Sequence, residues 1–217
     1  MPRLRLSVAN AGGHFSTDDV TAIRSGVRAA ERFISKHFEL DYDVDVVVTA
    51  PSYLMPIIPE DGIGGRTYNS RLIVLVIDAT KPVSSDFVFE TVCHELSHSL
   101  RWEKVPDFAD TLHKTILFEG LATVLEETAI VQSERRATQF FLKEVQQTDA
   151  ATIKRIHSEL KESFDDTNYD YGAVFFDGND SLPRWAGYKL GYSLIKQQLA
   201  RSGRTIYELT LEPYDNL

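Results

Sequence analysis

Val92-Cys93-His94-Glu95-Leu96-Ser97-His98 is the stretch from which the rest of the chain is read. Two histidines four residues apart lie one turn apart on the same face of an α-helix, with Cβ atoms about 5–6 Å apart. That spacing lets two imidazole nitrogens reach one metal ion at about 2.0–2.1 Å each. Glu95 follows His94 directly, so it points beside such an ion rather than at it. A general base for a metal-bound water would stand there. Ser85 or Asp86 can cap a helix running to about Trp102. At about 100° per residue, Phe89, Val92, Cys93, Leu96 and Leu100 form one apolar stripe. His94, Glu95 and His98 fall on the opposite side, which faces either a cleft or solvent.

A zinc ion poised for catalysis takes three protein ligands and keeps one position open. Six residues after His98, where an extended form of this pattern has a third histidine, stands Lys104. The next candidate region is Leu117-Phe118-Glu119-Gly120-Leu121-Ala122-Thr123, within a helix expected from about Asp107 or Asp110 to about Thr128. Leu117, Leu121, Val124 and Leu125 form its apolar stripe, with Phe118 at the margin. Glu119, Thr123 and Glu126 occupy another face. Glu119 is the best third ligand; on its own it would read as a solvated helix carboxylate. His113 is the rival, on the same helix but away from the Glu119 face. Glu126 suits the orientation of a histidine through its other ring nitrogen, and Thr123 suits it less well. Gly120 inside a helix costs about 1 kcal/mol relative to alanine, which is easier to explain if a backbone or a ligand approaches closely there.

With these residues the chain resembles the gluzincin metallopeptidases, whose zinc is held by two histidines of His-Glu-x-x-His and a glutamate on a following helix. More narrowly, it resembles a family described only as predicted zinc-dependent proteases. The carrying segments are His94-Glu-Leu-Ser-His98, Glu119-Gly-Leu-Ala122 and Pro183-Arg-Trp-Ala-Gly-Tyr-Lys-Leu-Gly-Tyr192, with Gly62-Ile-Gly-Gly65 upstream. The resemblance implies a zincin-like fold and one Zn2+ held by His94, His98 and Glu119. It implies Glu95 as base and a peptide or protein as substrate. It also places an extended peptide along about Gly65 to Tyr68 by strand addition. One departure stands out: thermolysin-like members place an aspartate four residues after the ligand glutamate, where this chain has Thr123.

The activity expected is zinc-assisted hydrolysis of an amide. Tyr188 and Tyr192 lie one turn apart, and a phenol near the metal would stabilise the oxyanion; both read equally as packing aromatics. Arg184 reads either as a carboxylate-binding group or as a helix-start surface residue. A second reading, in another class, is a zinc-binding but non-proteolytic interaction or regulatory module. A zinc deaminase is disfavoured, since the Pro-Cys-x-x-Cys ligands are missing.

The 217 residues suit one domain, or two small lobes around a cleft. A hydrophobic content of 43% and a charged content of 25% are ordinary for a globular protein. The net charge of −9 argues against nucleic acid as a partner and against adhesion to anionic membranes. Cys93 is the single cysteine, so no intramolecular disulfide forms; it lies on the apolar side of its helix and reads as a buried thiol. The N-terminus Met1-Pro-Arg-Leu-Arg-Leu-Ser-Val lacks the apolar core of a signal peptide, and no run reaches the roughly 18 apolar residues of a membrane span. A cytoplasmic location is therefore expected.

The fold class expected is α+β: a small N-terminal mixed sheet with helices, then a helical C-terminal half, with the active-site helix between them. Residues 1–104 would form the sheet-containing lobe and residues 105–217 the helical lobe of a single zincin-like domain. Leu4, Leu6 and Val8 alternate as a first strand. Ser16 or Thr17 caps a helix to about Phe38. Asp45–Ala50 is a second strand, and Arg66–Ile77 a third, with a hairpin turn at Asn69-Ser70. The glycine run before it lacks the Lys-Ser/Thr of a phosphate loop, so no nucleotide site is read there. Helices are expected from about Val131 to Gln147, Ala151 to Phe164 and Pro183 to Ala200. Between the last two, Asp165 to Asp180 reads as a loop containing Tyr169, Tyr171 and Phe175, long enough for a lid or substrate wall. Gly187 and Gly191 would let the last helix approach a neighbour closely.

Overall fold

The computed structural model describes residues 4–51, 57–135 and 138–217. Its elements run β1 (Leu4–Val8), α1 (Thr17–His37), β2 (Val44–Thr49), β3 (Ile63–Asn69), β4 (Leu72–Ile77), α2 (Ser85–Lys104), α3 (Leu112–Gln132), α4 (Phe140–Gln146), α5 (Ala150–Leu160), α6 (Ala186–Ser202) and α7 (Ile206–Thr210). The strands form one mixed sheet in the order β1-β2-β4-β3, followed by helices, so the fold is α+β. β1, β2 and β4 are mutually parallel, and β3 runs antiparallel to β4 at the edge. The expected β3–β4 hairpin is present, but it turns at Ser70-Arg71, one residue beyond Asn69-Ser70: Asn69 still pairs with Leu72, and its side chain accepts the Arg71 N–H at 2.8 Å.

Ser16 and Asp19 form a reciprocal capping box at the start of α1. α2 is capped by Ser84, one residue before the expected positions, through the Phe87 N–H. Every residue of α2 from Val88 to Arg101 is buried. The apolar stripe packs into a core shared with the sheet and α1, while the opposite face, carrying the histidines, is roofed by α3 and β3. α3 and α6 touch at two glycines. A Cβ on Gly120 would lie 2.4 Å from the Gly191 carbonyl carbon, and one on Gly191 would lie 2.1 Å from the Ile116 carbonyl oxygen. The fully buried Arg101 donates to the carbonyls of Thr210 and Glu212, both at 2.9 Å, and fastens the C-terminal segment onto α2.

Two further expectations are corrected. The helix expected from Val131 to Gln147 is two pieces, with residues 136 and 137 of that span outside the described residues. α3 runs on to Gln132, the chain turns at Glu134 with φ 51°, and α4 starts at Phe140. The cause is non-local: the Asp61 carboxylate accepts the Phe140 and Phe141 N–H groups and caps α4 from the far side of the sequence. The Asp165–Asp180 loop contains one π-helical turn, Ala173–Asp177. That turn buries Phe175 beneath Gly187 and presents Phe176 outward instead. The N-terminal residues 1–3 also lie outside the described residues. No helix among the described residues is long and apolar enough to cross a membrane.

Candidate metal centre

α2 supplies His94 and His98 from successive turns, their rings edge-to-face with centroids 4.9 Å apart. α3 crosses α2 so that Glu119 meets both. Its Oε2 lies 3.3 Å from His94 Nε2 and 3.3 Å from His98 Nε2. The ligand atoms of the three residues all fall within 4.8 Å of one another. A tetrahedron with centre-to-ligand distances of about 2.0–2.1 Å has edges of about 3.3 Å. Both measured N···O edges match that value, so the donor set suits zinc in spacing as well as in type.

Electrostatics point the same way. Burial opposes a charge on His94, yet hydrogen bonds to Glu119 and Glu126 outweigh it and hold the imidazole pKa well above its usual value. Burial would raise Glu119, yet His98 and His94 beside it hold its carboxyl well below the usual carboxylate range. Carboxylates thus crowd two imidazoles in a buried space, an arrangement that favours a cation.

Neighbouring side chains brace the two histidines. His94 Nδ1 lies 2.9 Å from Glu126 Oε2, which fixes the ring with Nε2 toward the centre. Thr123, the weaker candidate for that task, bonds the Glu119 backbone carbonyl at 2.8 Å instead. The His98 ring stacks on Phe118 with centroids 4.0 Å apart, and Phe118 stacks on Trp102. His98 Nδ1 is buried with no partner among the described residues. Behind Glu126 stands Glu90, fully buried, whose carboxyl burial and the neighbouring Glu126 push up to about 10. Glu90 is therefore protonated at neutral pH. The Gln139 N–H at 3.1 Å bonds its carboxyl.

Glu95 is outside the convergent trio. Its Oε2 bonds the Thr67 hydroxyl at 2.7 Å, and that hydroxyl also lies 2.9 Å from the Glu95 carbonyl. β3 crosses directly above it: a Cβ on Gly65 would meet Glu95 Oε1 at 2.6 Å, so only glycine lets the strand pass this close. Tyr188 on α6 lies beside His94, ring centroids 6.2 Å apart, and lines the cleft. Burial, together with the Glu119 carboxylate, holds its phenol pKa well above the usual value, so it stays protonated.

The trio opens into a cleft of about 980 Å³ between β3, α2, α3 and the 165–180 segment. Tyr169, Tyr171 and Phe176 line the side formed by that segment. The remaining candidates lie elsewhere. His113 stacks on Phe164, away from the trio, and takes no part in the cluster. Arg184 is paired with Glu60 and lies over the Trp185 ring. Tyr192 bonds Glu127 on the flank of α3. Sequence reasoning missed Thr67 and Glu90. Their contacts are made across 28 residues of sequence for Thr67–Glu95 and between neighbouring helices for Glu90–Glu126, where no local pattern signals them.

No curated protein and no solved structure matches the chain. A family model does match, over residues 26–217, which include all three clustered residues, Glu95 and both Gly-Tyr pairs of α6. The chain belongs to that family, DUF2268, described as predicted Zn-dependent protease.

Proposed function

We propose that the protein is a zinc-dependent peptidase with a zincin-like arrangement, in which His94, His98 and Glu119 hold one zinc ion and Glu95 is the general base. The observation that carries this reading is the convergence of three donor atoms inside an open cleft, with a fourth ionisable group beside them and outside the set. A zinc ion bound there supplies Lewis acidity and lowers the pKa of a water at its open position to about 7.

The chain's own residues do the rest. The Thr67 hydroxyl holds one oxygen of Glu95, leaving the other to take the proton of the attacking water and pass it to the leaving amine. The Tyr188 phenol, kept protonated, donates to the oxyanion that develops on the carbonyl. Glu126 keeps His94 in the tautomer that presents Nε2. β3, the free edge of the sheet, holds an extended peptide by strand addition over Gly65 to Tyr68.

The test pairs metal content with turnover. The wild-type chain is expected to carry one zinc and cleave peptides. Glu95→Gln is expected to keep zinc and lose at least about 100-fold in rate, and Glu119→Ala to lose zinc. Peptide turnover by Glu95→Gln at the wild-type rate would overturn the mechanism. Zinc retention with no cleavage of any peptide would favour a metal-holding interaction module instead.

A further inference from the structure

The metal centre lies not at the end of a cleft but between two. The larger, of about 980 Å³, follows β3 from Gly65 to Ser70 and reaches Trp102 and Phe108. A second, of about 410 Å³, leaves the centre in the other direction, toward Ile58, Phe141 and Trp185. Gly65, His94, Glu95, Phe176 and Tyr188 border both.

The backbone of β3 spans the junction. The Asp78 N–H bonds the Gly62 carbonyl, and the Ile63 carbonyl accepts outward, from the Ile58 N–H. Hydrogen bonding alternates along an antiparallel strand. Residues 62, 64 and 66 therefore face β4, while Gly65 and Thr67 turn their N–H and C=O groups outward, directly over Glu95.

Charge distinguishes an internal segment from a chain end. A peptide added antiparallel to β3 lays its N-terminal side over Arg66–Ser70 and its C-terminal side over the smaller cleft. Arg66 makes no ion pair among the described residues, lies over the Tyr68 ring and would repel an α-ammonium group. Asp177, exposed on the smaller cleft, would repel an α-carboxylate. Arg184, the cation there, is already held by Glu60 through two bonds. Large apolar side chains also stand exposed along the groove: Tyr68, Phe108, Tyr171 and Phe176. Exposed apolar surface gathered in one place marks a binding site.

We propose that the two clefts form one through-groove and that the chain is an endopeptidase. Its substrate is an extended internal polypeptide segment with large apolar side chains on both sides of the bond that is cut. This inference rests on the peptidase reading. Water adds across an internal amide, its hydroxyl going to the carbonyl carbon and its proton to the nitrogen, so both products are peptides.

The two tryptophans of the chain, Trp102 and Trp185, stand one in each cleft and report on each side separately. Trp102→Phe and Trp185→Phe, both free of zinc, are titrated with a short peptide that is acetylated, amidated and apolar at its centre. The emission of either remaining tryptophan is expected to change, with dissociation constants equal within roughly threefold. A response from only one side, or binding that requires a free terminus, would overturn the proposal. In parallel, the zinc-loaded wild-type chain is given blocked and free-ended peptides and the products are weighed. Internal cuts in both sets are expected. Release of terminal residues from the free-ended set alone leaves the peptidase reading intact and overturns this one. No cut in either set, with zinc bound, overturns both.

Discussion

At the candidate site Glu126 stands behind His94, outside the three converging side chains. It fixes His94 by a 2.9 Å contact to Nδ1, and Glu90, buried behind it, is held protonated by its burial and by the neighbouring Glu126. Removing a carboxylate that orients a metal-bound imidazole costs about 10–100-fold in affinity. Glu126→Ala is therefore expected to weaken zinc binding by that factor in a chelator competition, with the fold retained; unchanged affinity would show that the contact is idle. The two histidines, Glu119 and Glu126 were legible in the sequence because helix geometry puts them there, whereas Glu90 was not. His94 and His98 are one turn apart on α2, and Glu119 and Glu126 two turns apart on α3, so each pair shares a face. Thr67 was not legible. Its bond to Glu95 depends on how an edge strand crosses a helix that begins many residues later. Phe118 read as the margin of an apolar stripe, and its stacking on His98 exists only once α2 and α3 have packed.

Between elements, the α3–α6 contact sets how far Tyr188 stands from His94. The glycines on both helices announced a close approach, but not that Gly120 and Gly191 meet each other. An added methyl group at Gly191 would collide with backbone on the facing helix, at 2.1 Å from the Ile116 carbonyl oxygen and 3.0 Å from Gly120 Cα. Backbone cannot yield as the end of a side chain can. Gly191→Ala should therefore destabilise the protein by about 3 kcal/mol, the upper range for overpacking. The check is a urea titration: the midpoint should fall with the slope unchanged. A wild-type midpoint would mean that the helices have room the contact denies. The start of α4 shows the opposite limit of sequence reading. Its N-terminal N–H groups are capped by Asp61, on the far side of the β3–β4 hairpin, so nothing near Phe140 marks a helix start.

At the scale of the whole molecule, the candidate metal site joins the sheet-bearing half to the helical half. His94, His98 and Glu95 come from α2, Glu119 from α3, Tyr188 from α6, and β3 covers Glu95. The unfolded chain holds no such arrangement, since Glu119 is separated from the histidines by a turn and the start of another helix. Zinc should therefore bind the native state and stabilise it by mass action. At a free concentration of about 1,000 times the dissociation constant the gain is about 4 kcal/mol. For a chain of this length each kcal/mol moves the melting temperature by about 2–4 °C, so a rise of roughly 8–16 °C is expected on adding zinc, reversed by a chelator. The same scan on Glu119→Ala separates site from surface. If the gain comes from the three-ligand centre, most of the rise disappears with that one carboxylate, because two imidazoles on a single helix bind zinc without joining the halves. An equal rise in both proteins would place the zinc elsewhere and leave the convergence of His94, His98 and Glu119 without a metal to explain it.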